Sequence, residues 1–309
     1  MAERDPRWVK RKEEARIPPA VRAELAEAQA NASDPAWKDA RWAKLEADGV
    51  IGGVPDMIVD IEAVVDTGCP PPKPKEGKEA SDFPAPGHWQ VVTIGCAWVV
   101  NHKIRKLGVI QGETEEEKLR AFVKIFEPAG IAAAEETRLP RVVGWSSRRY
   151  DLPVIAHRCM RYGIPWPWYY CETRGKNPRF RFSFERQLDL MDVLSDHGSS
   201  RASQLDGIAR LMGLPGKLET SGADVAMLHA QGLQKQIDLY CLQDVAQTAA
   251  VFLRFELLRG KITLVEYQAA MLAWLEVVEN TPGAADLLAD SRGVAPAGLD
   301  LTRLMLDGP

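Results

Sequence analysis

The stretch Met57-Ile-Val-Asp-Ile-Glu-Ala-Val-Val65 decides the fold of this chain. Aliphatic and β-branched residues occupy both of its faces, Gly52, Gly53 and Pro55 precede it, and a proline-rich run follows it. A short apolar run with such boundaries is typical of a strand buried in the middle of a sheet. We therefore expect this stretch to be an interior strand of an α/β domain.

Two carboxylates interrupt this apolar stretch. Side chains alternate along a strand, so Asp60 and Glu62 point to the same face with their Cα atoms roughly 6.5 to 7 Å apart. Unpaired anions in a dry environment cost several kcal/mol, so we expect raised pKa values or a cation between them. A hard divalent metal with oxygen ligands meets this need. An edge strand whose acids face water is the alternative, and it is the commoner setting for an isolated Asp-x-Glu.

The composition is that of a soluble globular protein. The 309 residues carry a net charge of −4, which argues against a chain that coats nucleic acid along its length but allows a small basic patch. The five cysteines show no metal-binding spacing, which indicates reduced thiols and a cytoplasmic location. The N-terminus lacks a secretory signal, and the longest apolar run, residues 91–100, is too short to span a bilayer.

The pattern of charge and hydrophobicity divides the chain into three parts. Residues 1–50 form a charged, partly helical extension that serves either as a surface clasp or as the binding segment for a protein partner. Residues 51–262 form the main domain, and residues 263–309 form a last helix followed by a flexible tail.

Within the main domain, a strand is followed by a hairpin, a helix, a strand and a helix, which predicts a mixed sheet flanked by helices. Asn101-His102 joins the hairpin strands, and Glu115 follows the N-cap of the first helix. Residues 69–87 form a long loop rich in Pro, Lys and Gly. The predicted strands are 89–100, 103–111 and 141–145, the predicted helices are 114–125, 151–162, 202–212 (begun by Ser200 or Ser203), 233–258 and 263–278, and 188–194 is a further apolar segment.

The long helix carries a phenol and a carboxylate on its apolar face. Tyr240 and Asp244 continue the stripe that contains Ile237 and Val251, and they lie one turn apart. A buried carboxylate needs a partner, and a metal site on the first strand would provide one. A simple hydrogen bond between the two side chains in a helix-packing contact is an equally good interpretation at this stage.

Asp151 is the remaining candidate acid. It precedes Leu-Pro at a helix start, and in isolation this pattern favours an N-cap. Its position directly after a buried strand, however, brings its carboxylate near Asp60 and Glu62. Acids from three separate elements then converge.

These residues together resemble a known family. Asp60-Ile-Glu62, then Tyr150-Asp151-Leu-Pro, then Tyr240-Cys-Leu-Gln-Asp244 are similar, in order, to the three motifs of DnaQ-like 3'-5' exonucleases of the DEDDy type. The closest likeness is to the exonucleases related to the proofreading domain of family B DNA polymerases. The resemblance covers about residues 55–262.

The resemblance implies an RNase H-like fold, with a mixed five-stranded sheet flanked by helices, and two divalent ions, Mg²⁺ or Mn²⁺. Asp60 would bridge both ions, Glu62 and Asp244 would complete one site, and Asp151 would hold the other. Tyr240 would orient the attacking water. Leu239 stands where a His-bearing subgroup carries its base, so only the tyrosine form is available.

The substrate contacts are expected around the second motif and in an aromatic and basic segment, residues 166–182. Rings can stack on bases and cations can pair with phosphates, although a surface hairpin with its rings in a small core is an equal alternative. Ser146 and Ala63 replace the residues usual in the family, Asn and Thr. The candidate substrate-binding residues are Ile61, Ser146, Arg148, Arg149, Tyr150, Arg179 and Arg181.

The function that follows is metal-dependent 3'-5' exonuclease activity on single-stranded or frayed DNA, with nucleic acid as the partner and no membrane. Trimming of RNA on the same fold is an alternative. A nucleic-acid-binding scaffold with little turnover is another.

Asp189 and Asp192 lie close to the site in sequence, and capping or solvent exposure is the more common role for such acids.

Overall fold

The protein is described by a computed structural model that covers residues 55–72, 83–127, 139–173, 176–216, 224–289 and 293–306. The elements below belong to one compact unit, Pro55–Phe126 and Pro140–Pro309. The expected N-terminal extension, residues 1–50, lies outside the described residues, as does most of the expected loop at 69–87.

The described residues form a five-stranded sheet and eight α-helices. The strands are β1 Asp56–Val65, β2 Trp89–Val100, β3 Lys103–Val109, β4 Arg141–Gly144 and β5 Gln187–Asp189. The helices are α1 Glu115–Lys124, α2 Asp151–Tyr162, α3 Leu190–Leu194, α4 Leu205–Met212, α5 Val225–Ala230, α6 Gln234–Leu258, α7 Leu264–Glu279 and α8 Leu301–Met305.

The sheet has the order β3-β2-β1-β4-β5, which places β1 in the middle. Strand β2 is antiparallel to both β1 and β3, whereas β4 is parallel to both β1 and β5. This order and these directions are those of an RNase H-like fold, so the predicted mixed five-stranded sheet is confirmed. Because β1 lies between β2 and β4 and Glu62 is buried, the alternative of an edge strand with both acids facing water is excluded.

Local chemistry explains the connections between the first elements. Asn101 and His102 form the β2–β3 turn with φ values of 50° and 58°, the left-handed conformations that a two-residue hairpin of right-handed twist requires. The first helix begins with a capping box, in which the Thr114 side chain accepts from the Glu117 backbone and the Glu117 side chain accepts in return. Both features follow the sequence prediction.

A buried ion-pair network fixes α2 against the end of β1 and against α1. Arg158 Nη1 lies 2.6 Å from Asp66 Oδ2, and its Nη2 lies 2.6 Å from Glu115 Oε2. The Tyr162 hydroxyl also donates to Glu115, at 2.8 Å. Removal of one partner would leave an uncompensated buried charge, so this network fixes the second half of α2.

Helix α6 packs closely on the sheet because Gly95 has no side chain. Gly95 pairs with Asp60 across the β1–β2 ladder. A Cβ at this position would lie 2.7 Å from Cys241 Sγ and 2.9 Å from Val245 Cγ2. Cys241 and Val245 are fully buried in the same cluster as Ile58 of β1. The missing side chain thus sets how near α6 comes to the middle strand.

One prediction is wrong, and two further features were not predicted. Helix α4 begins at Leu205 after Gln204, with no side-chain cap, so neither Ser200 nor Ser203 starts it. The apolar segment at 188–194 divides between β5 and α3, because Asp189 accepts a hydrogen bond from Asp192 N and caps a helix there. Helix α5 was not predicted.

The C-terminal part is also more ordered than expected. Leu287 and Leu304 are fully buried in the core around α6, so the described residues after α7 pack rather than fray. The Tyr267 hydroxyl donates to the Leu304 carbonyl at 2.7 Å, and Asp300 N donates to the Gly213 carbonyl at 2.7 Å. These bonds attach α8 to α7 and to the end of α4.

Replacement of Gly95 by Ala should destabilise the fold by about 1–3 kcal/mol, because the added methyl group overlaps Cys241 and Val245 of α6. Gly108→Ala is the matched control, since a Cβ there meets nothing within 4 Å. Chemical denaturation of both variants measures the difference. Equal stability of the two variants would show that α6 does not rest on Gly95.

Candidate active site

Strand β1 presents its two acids in the middle of the sheet. Glu62 is buried and Asp60 is half-buried. The register of β1 with β2 shifts between Glu62 and Ala63 and skips Val92 of β2, so the ladder is irregular directly after the second acid. Bulges in such positions commonly re-aim side chains near functional sites.

Asp151 turns toward β1 instead of capping its helix. The N-cap position of α2 is Tyr150, which makes no side-chain capping bond, and Asp151 is the first helical residue. Its Oδ1 accepts a hydrogen bond from Ile61 N at 3.1 Å, between the two acids of β1. The common N-cap interpretation is therefore replaced by a direct bond to the middle strand.

Helix α6 brings Tyr240 and Asp244 to the same place. Tyr240 is 4% exposed, and its hydroxyl is hydrogen-bonded to the Asp244 carboxylate. That bond was one of two alternatives for this pair. Asp244 also lies near enough to Asp60 for charge repulsion between them, so the second alternative, a metal site on the first strand, stays a prediction.

The acids shift one another's pKa values strongly. Burial raises the pKa of Asp60 well above its ordinary value, and repulsion from Asp151, Glu62 and Asp244 raises it further. Burial also raises the pKa of Asp151 to about 7, although hydrogen bonds from its own backbone and from Ile61 N oppose the shift. Without a cation, protons must therefore neutralise part of this cluster at neutral pH.

The donor set fits a divalent metal. One ligand atom each of Asp60, Glu62 and Cys241 lies within 4.8 Å of the others, which is close enough to surround one ion. Asp151 and Asp244 face Asp60 closely enough to raise its pKa. Carboxylate oxygens are the ligands that Mg²⁺ and Mn²⁺ prefer, and a bound cation would relieve the repulsion.

An aromatic cluster borders the acids. The Tyr150 ring centroid lies 4.8 Å from that of Phe83 and 5.5 Å from that of Trp89. Burial raises the pKa of the Tyr150 hydroxyl, with further contributions from Asp151, Glu62 and Asp60, which shows that it lies beside the acids. Phe83 is 60% exposed, so this cluster offers a ring to solvent next to the carboxylates.

The turn before α2 is held by Asp189. Its Oδ1 accepts from Ser146 N at 3.0 Å, and its Oδ2 accepts from Arg148 N at 2.9 Å. Ser146 has a φ of 62°, a conformation that serine adopts only when its surroundings fix it. Asp189 thus positions the turn that leads into Asp151, in addition to capping α3.

The basic residues expected to bind substrate differ in their availability. Arg148 Nη1 donates to the Pro178 carbonyl at 3.3 Å, and Arg181 pairs with Asp192 at 2.6 Å. Asp192 is thereby paired rather than solvent-exposed. Arg149 is exposed, and the Arg179 guanidinium lies 4.9 Å from the Tyr170 ring centroid. The latter two side chains are the more accessible cations.

The aromatic segment at 166–182 divides into a core half and an exposed half. Trp166, Trp168 and Tyr169 are at most 7% exposed. Trp166 and Trp168 pack with Phe126 next to α1, so this half corresponds to the small aromatic core. Tyr170, Phe180 and Phe182 are 50% to 65% exposed, and they form the half that is open to a ligand.

Sequence reasoning missed Cys241, Gly95, Phe83 and Trp89 as parts of this site. Cys241 lies four residues after Ile237 and four before Val245, so helical periodicity could have placed it on the sheet-facing side. The contact of Gly95 with α6 and the packing of Phe83 depend on tertiary structure, and no local signal in the sequence gives them.

Comparison with protein families identifies the class. The matching family model is described as "Predicted 3'-5' exonuclease related to the exonuclease domain of PolB", and the match covers residues 81–288. This range is more than half of the chain, so the chain belongs to that family. The matched range contains Asp151, Tyr240 and Asp244. It begins after Asp60 and Glu62, and these two acids are placed beside the others by strand β1 of the structure.

The chain is also similar in structure to the family B DNA polymerase from the hyperthermophilic archaeon Pyrobaculum calidifontis, with 18% sequence identity and a TM-score of 0.43. That match covers 75% of this chain and 27% of the polymerase, so the chain spans about a quarter of its length. No curated protein sequence matches the chain significantly. None of the described helices is both long enough and apolar enough to cross a membrane.

In the metal-free protein, raising the pH from 4 to 7 should reduce stability through Asp151. The pKa of Asp151 is 3.8 in the unfolded chain and about 7 in the folded protein. Between these values the folded protein binds a proton that the unfolded chain does not, so stability falls as the pH rises. Asp151→Asn should remove the contribution of this carboxyl, up to roughly 3 kcal/mol over the range, and leave that of Asp60. Urea denaturation at several pH values in the presence of EDTA measures it.

Asp286→Asn is the control for this experiment, because Asp286 is an exposed aspartate in the 3-10 turn after α7. That variant should keep the slope of the parent. If Asp151→Asn shows the same slope as the parent, Asp151 does not hold a proton in the metal-free fold.

Proposed function

We propose that this protein is a metal-dependent 3'-5' exonuclease that hydrolyses terminal phosphodiesters of single-stranded or frayed DNA. The observation that carries the proposal is the convergence of acids from β1, α2 and α6 on Asp60, with Ile61 N bonded to Asp151 between them. Repelling carboxylates are costly to bury, and a cation site explains why they are kept together. A scaffold would gain nothing from this arrangement.

The carboxylates of Asp60, Glu62, Asp151 and Asp244 would hold two Mg²⁺ or Mn²⁺ ions. Such ions lower the pKa of water and neutralise charge on both the attacking and the leaving oxygen of a phosphodiester. The protein contributes a rigid setting for these acids, since β1 lies in the sheet interior and Asp151 is tied to its backbone. Rigid elements hold ligands more reproducibly than loops do.

Tyr240 would position the water. Burial raises the pKa of its hydroxyl, and repulsion from Asp244, Glu62 and Asp60 raises it further, so the phenol stays protonated at neutral pH. A protonated phenol does not act as a general base there, but it can hydrogen-bond to a water while Asp244 fixes its orientation. Its role is therefore orientation of the nucleophile.

The terminal nucleotide would lie against Tyr150 and its aromatic neighbours. Phe83, Trp89 and Tyr150 pack together beside the acids, and an exposed ring can stack on any base without reading its sequence. The exposed side chains of Arg149 and Arg179 would approach the phosphates. Arg148 and Arg181 would have to exchange their present partners to do so. Ile61 and Ser146 would contribute indirectly, because their backbone N–H groups already donate to Asp151 and Asp189.

The choice between DNA and RNA depends on contacts to the 2'-hydroxyl. DNA is proposed because of the relation of the family to the exonuclease domain of a DNA polymerase. The cleavage experiment below therefore includes RNA as a second substrate. A cytoplasmic location and a protein partner for residues 1–50 also remain predictions.

Asp60→Asn should abolish cleavage while leaving the protein folded, because it removes the acid that all the others face. We expect a loss of at least about 10³-fold, the equivalent of several kcal/mol of transition-state stabilisation. The measurement uses 5'-labelled single-stranded DNA and RNA oligonucleotides with Mg²⁺, Mn²⁺ or EDTA. The parent should shorten the strand from its 3' end in either metal and not in EDTA.

Glu276→Gln removes the same charge from an exposed site on α7 and should cleave like the parent. Undiminished cleavage by Asp60→Asn would contradict the mechanism. Binding of the parent to DNA without cleavage in either metal would leave only the scaffold alternative, and cleavage of RNA alone would correct the substrate.

A further inference from the structure

A sulfur atom lies among the oxygens of the acid site. Cys241 is fully buried, and its Sγ is 3.6 Å from Asp60 Oδ2 and 3.6 Å from the Asp60 carbonyl oxygen. Its ligand atom also lies within 4.8 Å of those of both Asp60 and Glu62. In the described part of the chain, no other set of three His, Cys, Asp or Glu side chains comes together in this way.

The fold keeps the sulfur in this position. Gly95 pairs with Asp60 across the ladder, and a Cβ on Gly95 would lie 2.7 Å from the sulfur. The absence of that side chain leaves the space that Cys241 fills. Cys241 precedes Asp244 by three residues on α6, so the helix that supplies an acid to the site supplies the thiol on the same face.

The separation of sulfur and oxygen fits a tetrahedral ion. Zinc–sulfur bonds are about 2.3 Å and zinc–oxygen bonds about 2.1 Å, which places the two ligand atoms about 3.6 Å apart at a tetrahedral angle. Asp60 Oδ2 and Cys241 Sγ already have this separation, 3.6 Å. Magnesium favours oxygen ligands only, whereas zinc and cadmium bind thiolates strongly.

We propose that Asp60, Glu62 and Cys241 form a binding site for a thiophilic divalent ion of the zinc and cadmium class. Binding breaks the S–H bond of Cys241, forms a metal–sulfur bond and releases the proton to solvent, with no change of oxidation state. Because two ligands are shared, this ion excludes Mg²⁺ or Mn²⁺ and holds the enzyme inactive. The exclusion rests on the proposed exonuclease function, whereas the binding does not.

The test uses the full chain with Cys69→Ser and Cys171→Ser, which removes the exposed and the half-buried thiol. Titration with Cd²⁺ should produce the ultraviolet charge-transfer absorption of a cadmium–sulfur bond. The absorption should disappear when Cys241→Ser or Cys241→Ala is added. It should remain with Cys96→Ser, because Cys96 is buried next to Gly95 but points to the opposite face of β2.

Near-ultraviolet circular dichroism establishes that each variant is folded. Two different substitutions are made at Cys241, so that the test still works if one of them misfolds. Absence of the absorption in the Cys69/Cys171 parent, or its persistence in both folded Cys241 variants, would overturn the proposal. Zn²⁺ should also inhibit Mn²⁺-dependent cleavage by the parent at concentrations at least about tenfold lower than those needed for the Cys241 variants that retain cleavage.

The two proposals fail in different ways. Cleavage in Mn²⁺ without any cadmium–sulfur absorption would leave the exonuclease function intact and remove the thiophilic site. A cadmium–sulfur absorption that depends on Cys241, in a protein that cleaves neither DNA nor RNA, would leave the site and remove the exonuclease.

Discussion

The main constraint on this structure is the mutual repulsion between carboxylates that the fold holds close together. Asp60 lies in the middle strand of the sheet, and acids from β1, α2 and α6 all raise its pKa in addition to the effect of burial. Such a cluster opposes folding unless protons or cations neutralise it. The remaining interactions around the site serve to keep these acids in place in spite of that cost.

Each element has its own attachment. Strand β1 is fixed by hydrogen bonding on both sides, and α2 is fixed by the buried pairs of Arg158 and by the bond from Ile61 N to Asp151. The turn before α2 is held by Asp189. Helix α6 is brought close by Gly95. Several contacts therefore hold the site in place.

Much of this could be predicted from the sequence, because the signals were local. The apolar run around Asp60 indicates a buried strand, the helical period places Tyr240 and Asp244 on the core face, and Thr114 with Glu117 forms a capping box. These features depend on periodicity and on capping, which are properties of short segments. The RNase H-like sheet, in contrast, was implied by the resemblance of the three motifs to a known family.

The rest required tertiary structure. Asp151 has the local pattern of an N-cap, and only the adjacent strand shows that it bonds Ile61 instead. The contact between Gly95 and Cys241 joins residues 146 positions apart (241 − 95), so no local pattern could give it. The C-terminal residues look like a tail in composition, yet Leu287 and Leu304 are buried. Composition does not show whether a few apolar residues find a partner surface.

The most direct test of this account is a crystal structure of the protein grown with Mn²⁺, with the ions located by anomalous scattering. We expect manganese bonded to a carboxylate oxygen of Asp60 and to at least one of Glu62, Asp151 and Asp244. A well-ordered structure at high Mn²⁺ concentration with no ion at these carboxylates, or with their oxygens turned away from one another, would contradict the account.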